Sequence, residues 1–220
     1  TCRPAGYNGI VGLKATYGRI SRYGVVPVSW SLDHVGILVR TVDDAALMLQ
    51  VMSGPHSLDH YSLESQPADY LALLSGDLKG LRVAYSPDLG HARVDEQVAN
   101  LVRNAVSAVA DLGADVEEVT PPWGVDGPEL IRFFWAAHEL RFRPFLKKWG
   151  DLMDQGLVAC IDAAGEPSAT DYLSMRQRKL DYIAAIHEWF EDWDLLLTPA
   201  VSVAAFPAER LQPDDWPAHD

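Results

Sequence analysis

Residues 1–40, TCRPAGYNGIVGLKATYGRISRYGVVPVSWSLDHVGILVR, constrain the fold more than any other part of the chain. Gly stands at 6, 9, 12, 18, 24 and 36, and Pro at 4 and 27. Glycine at this density marks sharp turns, or places where backbone lies close to other backbone or to a ligand. The apolar run 10–13, closed by Lys14, reads as a short buried strand. Residues 15–35 read as loop, with turns at Tyr17-Gly18 and Tyr23-Gly24, before a second strand at 36–39. This head carries a charge of +4, against −17 for the rest of the chain.

Beyond residue 40 helices and strands alternate. Thr41 with Asp44 three residues later is a capping-box pattern. It predicts a helix with apolar face Val42, Ala45, Ala46, Leu49 and Met52, ended by Gly54-Pro55. A polar loop to residue 67 and a short helix over 68–74 come next. Residues 81–85, LRVAY, read as a strand. Asp95 opens a helix whose core face is Val98, Leu101, Val102, Ala105, Val109 and Leu112, and Gly113 stops it. A strand over 115–119 completes a βαβ unit, so its two strands should run parallel. The aromatic stretch 127–148 reads as a long helix kinked or broken near Pro144. Residues 152–163 read as helix, and Ser168 with Asp171 starts another that runs to about Trp193. A strand over 194–198 closes the series. Strands alternating with helices indicate an α/β fold.

The run GIVGLKATYGRISRYGVVPVSWSLDHVG followed by RTVDDAALMLQVMSG closely resembles the amidase signature family of hydrolases. In that family a G-G-S-x-R-x-P-A run leads into G-x-x-G-L-K-P-T-x-G-R. An S-x-D-x-x-G turn and an R-T-V-x-D-A-A helix come after it. The resemblance is long and specific over 4–54, weaker beyond, and returns at LLLTP, 195–199. It implies a mixed β-sheet covered by helices. It also implies amide hydrolysis through a serine acyl-enzyme, with a bridging serine and a lysine as base. Aligned on Pro4-Ala5, the family's nucleophilic serine falls immediately before Thr1. The lysine and the bridging serine fall earlier still, so the resemblance implies no catalytic residue within these 220. On this reading the chain is an internal part of a single amidase-signature domain, with a catalytic portion before it and a C-terminal portion after it. Such a fragment should be inactive by itself and marginally stable.

The pocket-lining candidates are Cys2, Arg3, Trp30, Asp33 and His34. The family has an arginine where Cys2 stands, and Arg3 is one place late. Asp33 matches the S-x-D turn, where a carboxylate commonly bonds nearby backbone N–H groups. Trp30 and His34 offer an aromatic face and a polar tip beside it. Ser29, Ser31, Asp33 and His34 hold the ingredients of a Ser-His-acid triad, but neighbours in sequence rarely meet in triad geometry. Lys14 reads as structural. Thr1 as an N-terminal nucleophile is disfavoured, because the match places it beside the family's own. His56, Asp59 and His60 have metal-ligand spacing but sit in a loop without an evident third ligand, so no metal is expected.

Two Cys exclude a disulfide framework, and a net charge of −13 argues against a general nucleic-acid surface. No run is long enough for a membrane span. The expectation is a cytoplasmic enzyme without cofactor, acting on a small-molecule amide, with a homodimer left open. Two alternatives stand beside it. One is the glutaminase (A) subunit of a tRNA-dependent Asp/Glu amidotransferase, and the other is a non-catalytic binding or scaffold protein.

Overall fold

A computed structural model describes residues 1–26, 29, 31–64, 68–210 and 213. The chain divides into two compact units. One is formed by 1–25, 34–121 and 192–220, the other by 26–33 and 122–191.

The first unit begins with helix α1, Cys2–Asn8, which the motif reading does not anticipate. The signals are present. Pro4 lies in the first turn, and Gly9 closes the helix in the left-handed conformation, φ 63°. Strand β1, Val11–Lys14, pairs antiparallel with β2, Gly36–Val39, and Val11 faces Val39. Thr41 caps helix α2, Val42–Met52, its hydroxyl accepting the Asp44 N–H. Ala15, Ile20, Ile37 and Ala45 form the buried core here, with Val11, Leu13, Val35, Val39, Leu49 and Met52 packed on it. Val42, expected on that face, is exposed.

In the same unit β3, Arg82–Tyr85, is the middle strand of a parallel sheet. β4, Asp115–Glu118, and β5, Leu195–Leu197, flank it. The βαβ expectation is met by parallel pairing of Val83 with Val116. Being central, β3 buries Val83, Ala84 and Tyr85. The described strands thus form an antiparallel pair and a three-stranded parallel sheet. Helix α3, Glu96–Asp111, joins β3 to β4 and is capped by Asp95. Its face is narrower than expected: Val98, Val102, Val106 and Val109 are half-buried, whereas Leu101 (62% exposed) and Leu112 point outward. The stretch read as a helix over 68–74 is instead one 3-10 turn, Ala72–Ser75.

The second unit is helical. α4, Gly127–Glu139, gives way through a 3-10 turn to α5, Arg143–Trp149, with Pro144 in the first turn of the second helix. This is the expected break. α6, Gln155–Ala163, follows, and the Arg143 guanidinium donates to the Ile161 and Gly165 carbonyls at its C-terminal end, 3.1 and 3.0 Å. α7, Ala169–Trp189, starts with a complete capping box between Ser168 and Asp171. It stops four residues short of the expected Trp193. Asp194, just beyond, accepts the Arg82 N–H at 2.8 Å and so starts β5. Phe134 and Ile161 are fully buried in this unit.

Candidate functional site

The site is assembled from the matched motif. In the first unit Thr1 packs where Gly36 has no side chain, and a Cβ on Gly36 would overlap it. Gly12 likewise leaves room for the Ala5 side chain. Two glycines on paired strands therefore clamp both ends of the first helical turn of α1. Cys2 and Arg3 lie in that turn, both exposed, Cys2 as a free thiol.

The loop after β1 is stitched to residues 53–63. A Cβ on Gly18 would overlap the Tyr61 carbonyl, and the Gly18 carbonyl accepts the Leu63 N–H at 2.9 Å. Asp59 is the staple of this loop. It accepts from the Arg22 N–H (2.7 Å), the Tyr61 N–H (3.1 Å) and the Ser21 hydroxyl (3.2 Å). The Arg22 guanidinium lies over the Tyr17 and Tyr61 rings, 4.8 and 5.2 Å from their centroids. Asp59 is one of three residues with metal-ligand spacing. Its oxygens instead hold loop backbone, and His56 stacks on Tyr23 at 5.1 Å. Among the described residues no three His, Cys, Asp or Glu are grouped to hold a metal ion.

The Arg22 N–H bond, with the Tyr61 and Ser21 bonds and against an opposing effect of burial, holds the Asp59 carboxyl below the ordinary aspartate range. A depressed folded-state pKa stabilises the fold above the unfolded value, and that contribution is lost as pH falls through the folded value. Stability should therefore drop as pH goes below about 4. Asp59→Asn should flatten that drop in urea unfolding followed across pH, and an unchanged slope would remove Asp59 from this role.

Beside the stitched loop the structure brings Lys14, Tyr17 and His34 together. Lys14 Nζ lies 3.3 Å from His34 Nε2, and the His34 ring meets the edge of Tyr17 at 5.3 Å. Sequence reading points to His34 but assigns Lys14 only to structure and passes over Tyr17. The cluster presents nitrogen donors and an aromatic edge, a set suited to holding a substrate oxygen.

In the second unit the S-x-D turn closes on itself. Asp33 accepts the Ser29 N–H at 3.0 Å through both carboxylate oxygens, while the Ser29 carbonyl accepts the Leu32 and Asp33 N–H groups. This is the Asx-type role. Ser29 is buried, and its hydroxyl meets no partner among the described residues. Ser31 accepts from Lys179 Nζ of α7 at 3.0 Å. Burial, and then the nearby Arg176 charge, hold the Lys179 amine below the ordinary lysine range. Ser31, Asp33 and His34 each have another described partner and the Ser29 hydroxyl bonds none of them, so no triad forms among the described contacts. The Ser31–Lys179 contact spans 148 positions, and no local pattern announces it. Trp30, a pocket candidate, lies outside the described residues.

The family model described as Amidase matches residues 2–219. An acylamidase of Rhodococcus erythropolis is 32% identical over 213 residues, 96% of this chain and 44% of the relative. The A subunit of a glutamyl-tRNA(Gln) amidotransferase from Syntrophomonas wolfei is 46% identical over 120 residues, 54% of this chain and 25% of the relative. The crystal structure of a bacterial aryl acylamidase of the amidase signature family superposes with a TM-score of 0.77 at 22% identity. That superposition covers 91% of this chain and 44% of the other, and carries the fold alone. The chain spans less than half the length of these relatives.

Proposed function

The chain belongs to the amidase signature family, and from that membership we propose that the protein containing it hydrolyses a carboxylic amide to acid and ammonia or amine through a serine acyl-enzyme. The observation that carries this reading is the Gly36 clamp on Thr1. In the matched motif the residue before Thr1 is the nucleophilic serine. An acyl-transfer serine needs a backbone that does not drift, because misplacement by about 1 Å can cost on the order of a hundredfold in rate. Packing Thr1 into β2 and starting α1 directly after it supplies that rigidity. The serine would attack the carbonyl, the tetrahedral oxyanion would expel the amine with a proton from the bridging serine and lysine, and water would release the acid.

In this scheme the 220 residues form part of a single domain and supply walls. The Lys14–Tyr17–His34 cluster borders the acyl pocket, with Cys2 and Arg3 as further lining. The scheme requires no cofactor, metal or nucleic acid. We place the enzyme in the cytoplasm and leave a homodimer open. Among the described residues no helix is long and apolar enough to cross a membrane.

A second reading is favoured by the higher identity to amidotransferase A subunits over 120 residues. It makes the protein a glutaminase that hands ammonia to a partner. Acylated anilides and glutamine, offered in turn to the full gene product, separate the two. The amidase reading expects turnover of anilides without any partner. Turnover of glutamine alone, and only with a second protein present, would replace it with the glutaminase.

A further inference from the structure

The two faces of the β1–β2 pair are unlike. Val11 with Val39 and Leu13 with Ile37 turn one face to the core, where α2 packs. The other face carries Gly12 with Leu38 and Lys14 with Gly36. Residues directly opposite on an antiparallel pair share a face, with Cβ positions about 4.5–5.5 Å apart. A Cβ on Gly12 would run into Ala5, and one on Gly36 would run into the Thr1 side chain. The first turn of α1 therefore lies on this second face. The Lys14 side chain leaves the sheet on the same face, directly across from the glycine that seats Thr1.

Lys14 keeps its charge available there. Its described partner is the His34 imidazole, Nζ to Nε2 at 3.3 Å. An ammonium only donates, so Nε2 accepts, and a neutral acceptor orients the charge without cancelling it. The ion pairs among the described residues are Arg82–Asp194, Arg143–Glu166 and Arg178–Glu129, so no described carboxylate answers Lys14. The remaining ammonium N–H groups are left for another acceptor. The surroundings carry the same sign. The Tyr17 ring that meets His34 also has the Arg22 guanidinium over it, 4.8 Å from its centroid. Residues 1–40 carry +4 in a chain of net charge −13. A local positive field of this kind draws in anions.

We propose that Lys14 selects amide substrates whose acyl chain ends in a carboxylate. The carboxylate accepts from the Lys14 ammonium, and His34 holds that ammonium in place. The scissile carbonyl reaches the serine before Thr1. This rests on the amide-hydrolase reading, which supplies that serine. Lys14 is then a specificity residue and His34 a positioning residue.

The monoanilides of succinic, glutaric and adipic acid test this, each beside a neutral counterpart with isopropyl in place of the carboxylate. With the full gene product, at least one acid should exceed its counterpart about tenfold in kcat/KM, the scale of one charge-assisted hydrogen bond. Lys14→Met alters an exposed side chain and should erase that preference. The loss should fall on KM rather than kcat, because a carboxylate remote from the reacting bond is held equally in substrate and transition state. Lys14→Arg should keep most of the preference. His34→Ala should raise KM for the acid, and should have no such effect in the Lys14→Met background. Equal turnover of acid and counterpart in all three pairs, or a preference that survives Lys14→Met, would overturn the proposal and leave the amide-hydrolase reading intact. Hydrolysis of no anilide in any pair would refute that reading and this inference with it.

Discussion

Gly18→Ala is expected to destabilise the protein by about 2–4 kcal/mol. Two effects add. Gly18 has φ +79°, a conformation that costs a residue with a Cβ about 1–2 kcal/mol. The new methyl would also overlap the Tyr61 carbonyl, and forcing atoms into filled space costs about 1–3 kcal/mol. The carbonyl cannot simply withdraw. Asp59 holds the Tyr61 N–H, and the Gly18 carbonyl holds the Leu63 N–H, so both sides of the contact are anchored. A stiffer unfolded chain returns only about 0.4–1 kcal/mol. Gly24 is the control. Its φ is +85°, but nothing lies within 4 Å of where its Cβ would stand. Gly24→Ala should therefore cost only the conformational part, about 1 kcal/mol. Equal urea midpoints for the two variants would mean that Gly18 and Tyr61 do not meet as described.

Phe134→Ala should cost about 3–5 kcal/mol, the range for a large aromatic removed from a filled core. Phe134 is 2% exposed. Its ring stands edge-on to Tyr172 at 5.8 Å and to Phe133 at 5.4 Å, and Lys179 Nζ lies 5.3 Å from its centroid. Truncation removes three contacts and leaves a hole between helices that α4 and α7 cannot close without moving. Phe145, 52% exposed on α5, provides the contrast, and Phe145→Ala should stay within about 1 kcal/mol of the parent. A Phe134→Ala variant equally close to the parent in equilibrium unfolding would show that the helical unit is not built around this ring.

Much of the local structure is written in short-range chemistry. Thr41 with Asp44, Asp95, and Ser168 with Asp171 each start a helix where their side chains accept backbone N–H groups. Those bonds close over two or three residues, so the sequence carries all the information they need. The break before Pro144 is legible for the same reason. The depth of burial is not. Leu101 and Leu112 fit a helical apolar face, yet both point outward, and the four valines at 98, 102, 106 and 109 do the packing. Periodicity identifies a face but not how much of it finds a partner. α1 escapes a motif reading because its glycines and proline look like turn signals rather than helix ends.

The candidate site divides in the same way. Asp33 is legible as a turn-holding carboxylate because its partner, Ser29, is four residues away. The contacts of Lys14 with His34 and of Ser31 with Lys179 join segments 20 and 148 residues apart. Residue types hint at such groupings only once the fold has brought them together.

We propose that an acyl-enzyme forms on the serine that the family motif puts immediately before Thr1, and an aryl fluorophosphonate tests this most directly. The full gene product, treated with the reagent and digested, should carry one phosphonyl group on that serine, and anilide hydrolysis should be lost in step with labelling. The 220-residue chain by itself should neither label nor hydrolyse. Labelling within the chain at Thr1, Ser29 or Ser31, a residue other than serine before Thr1, or hydrolysis that persists after complete labelling would contradict the account.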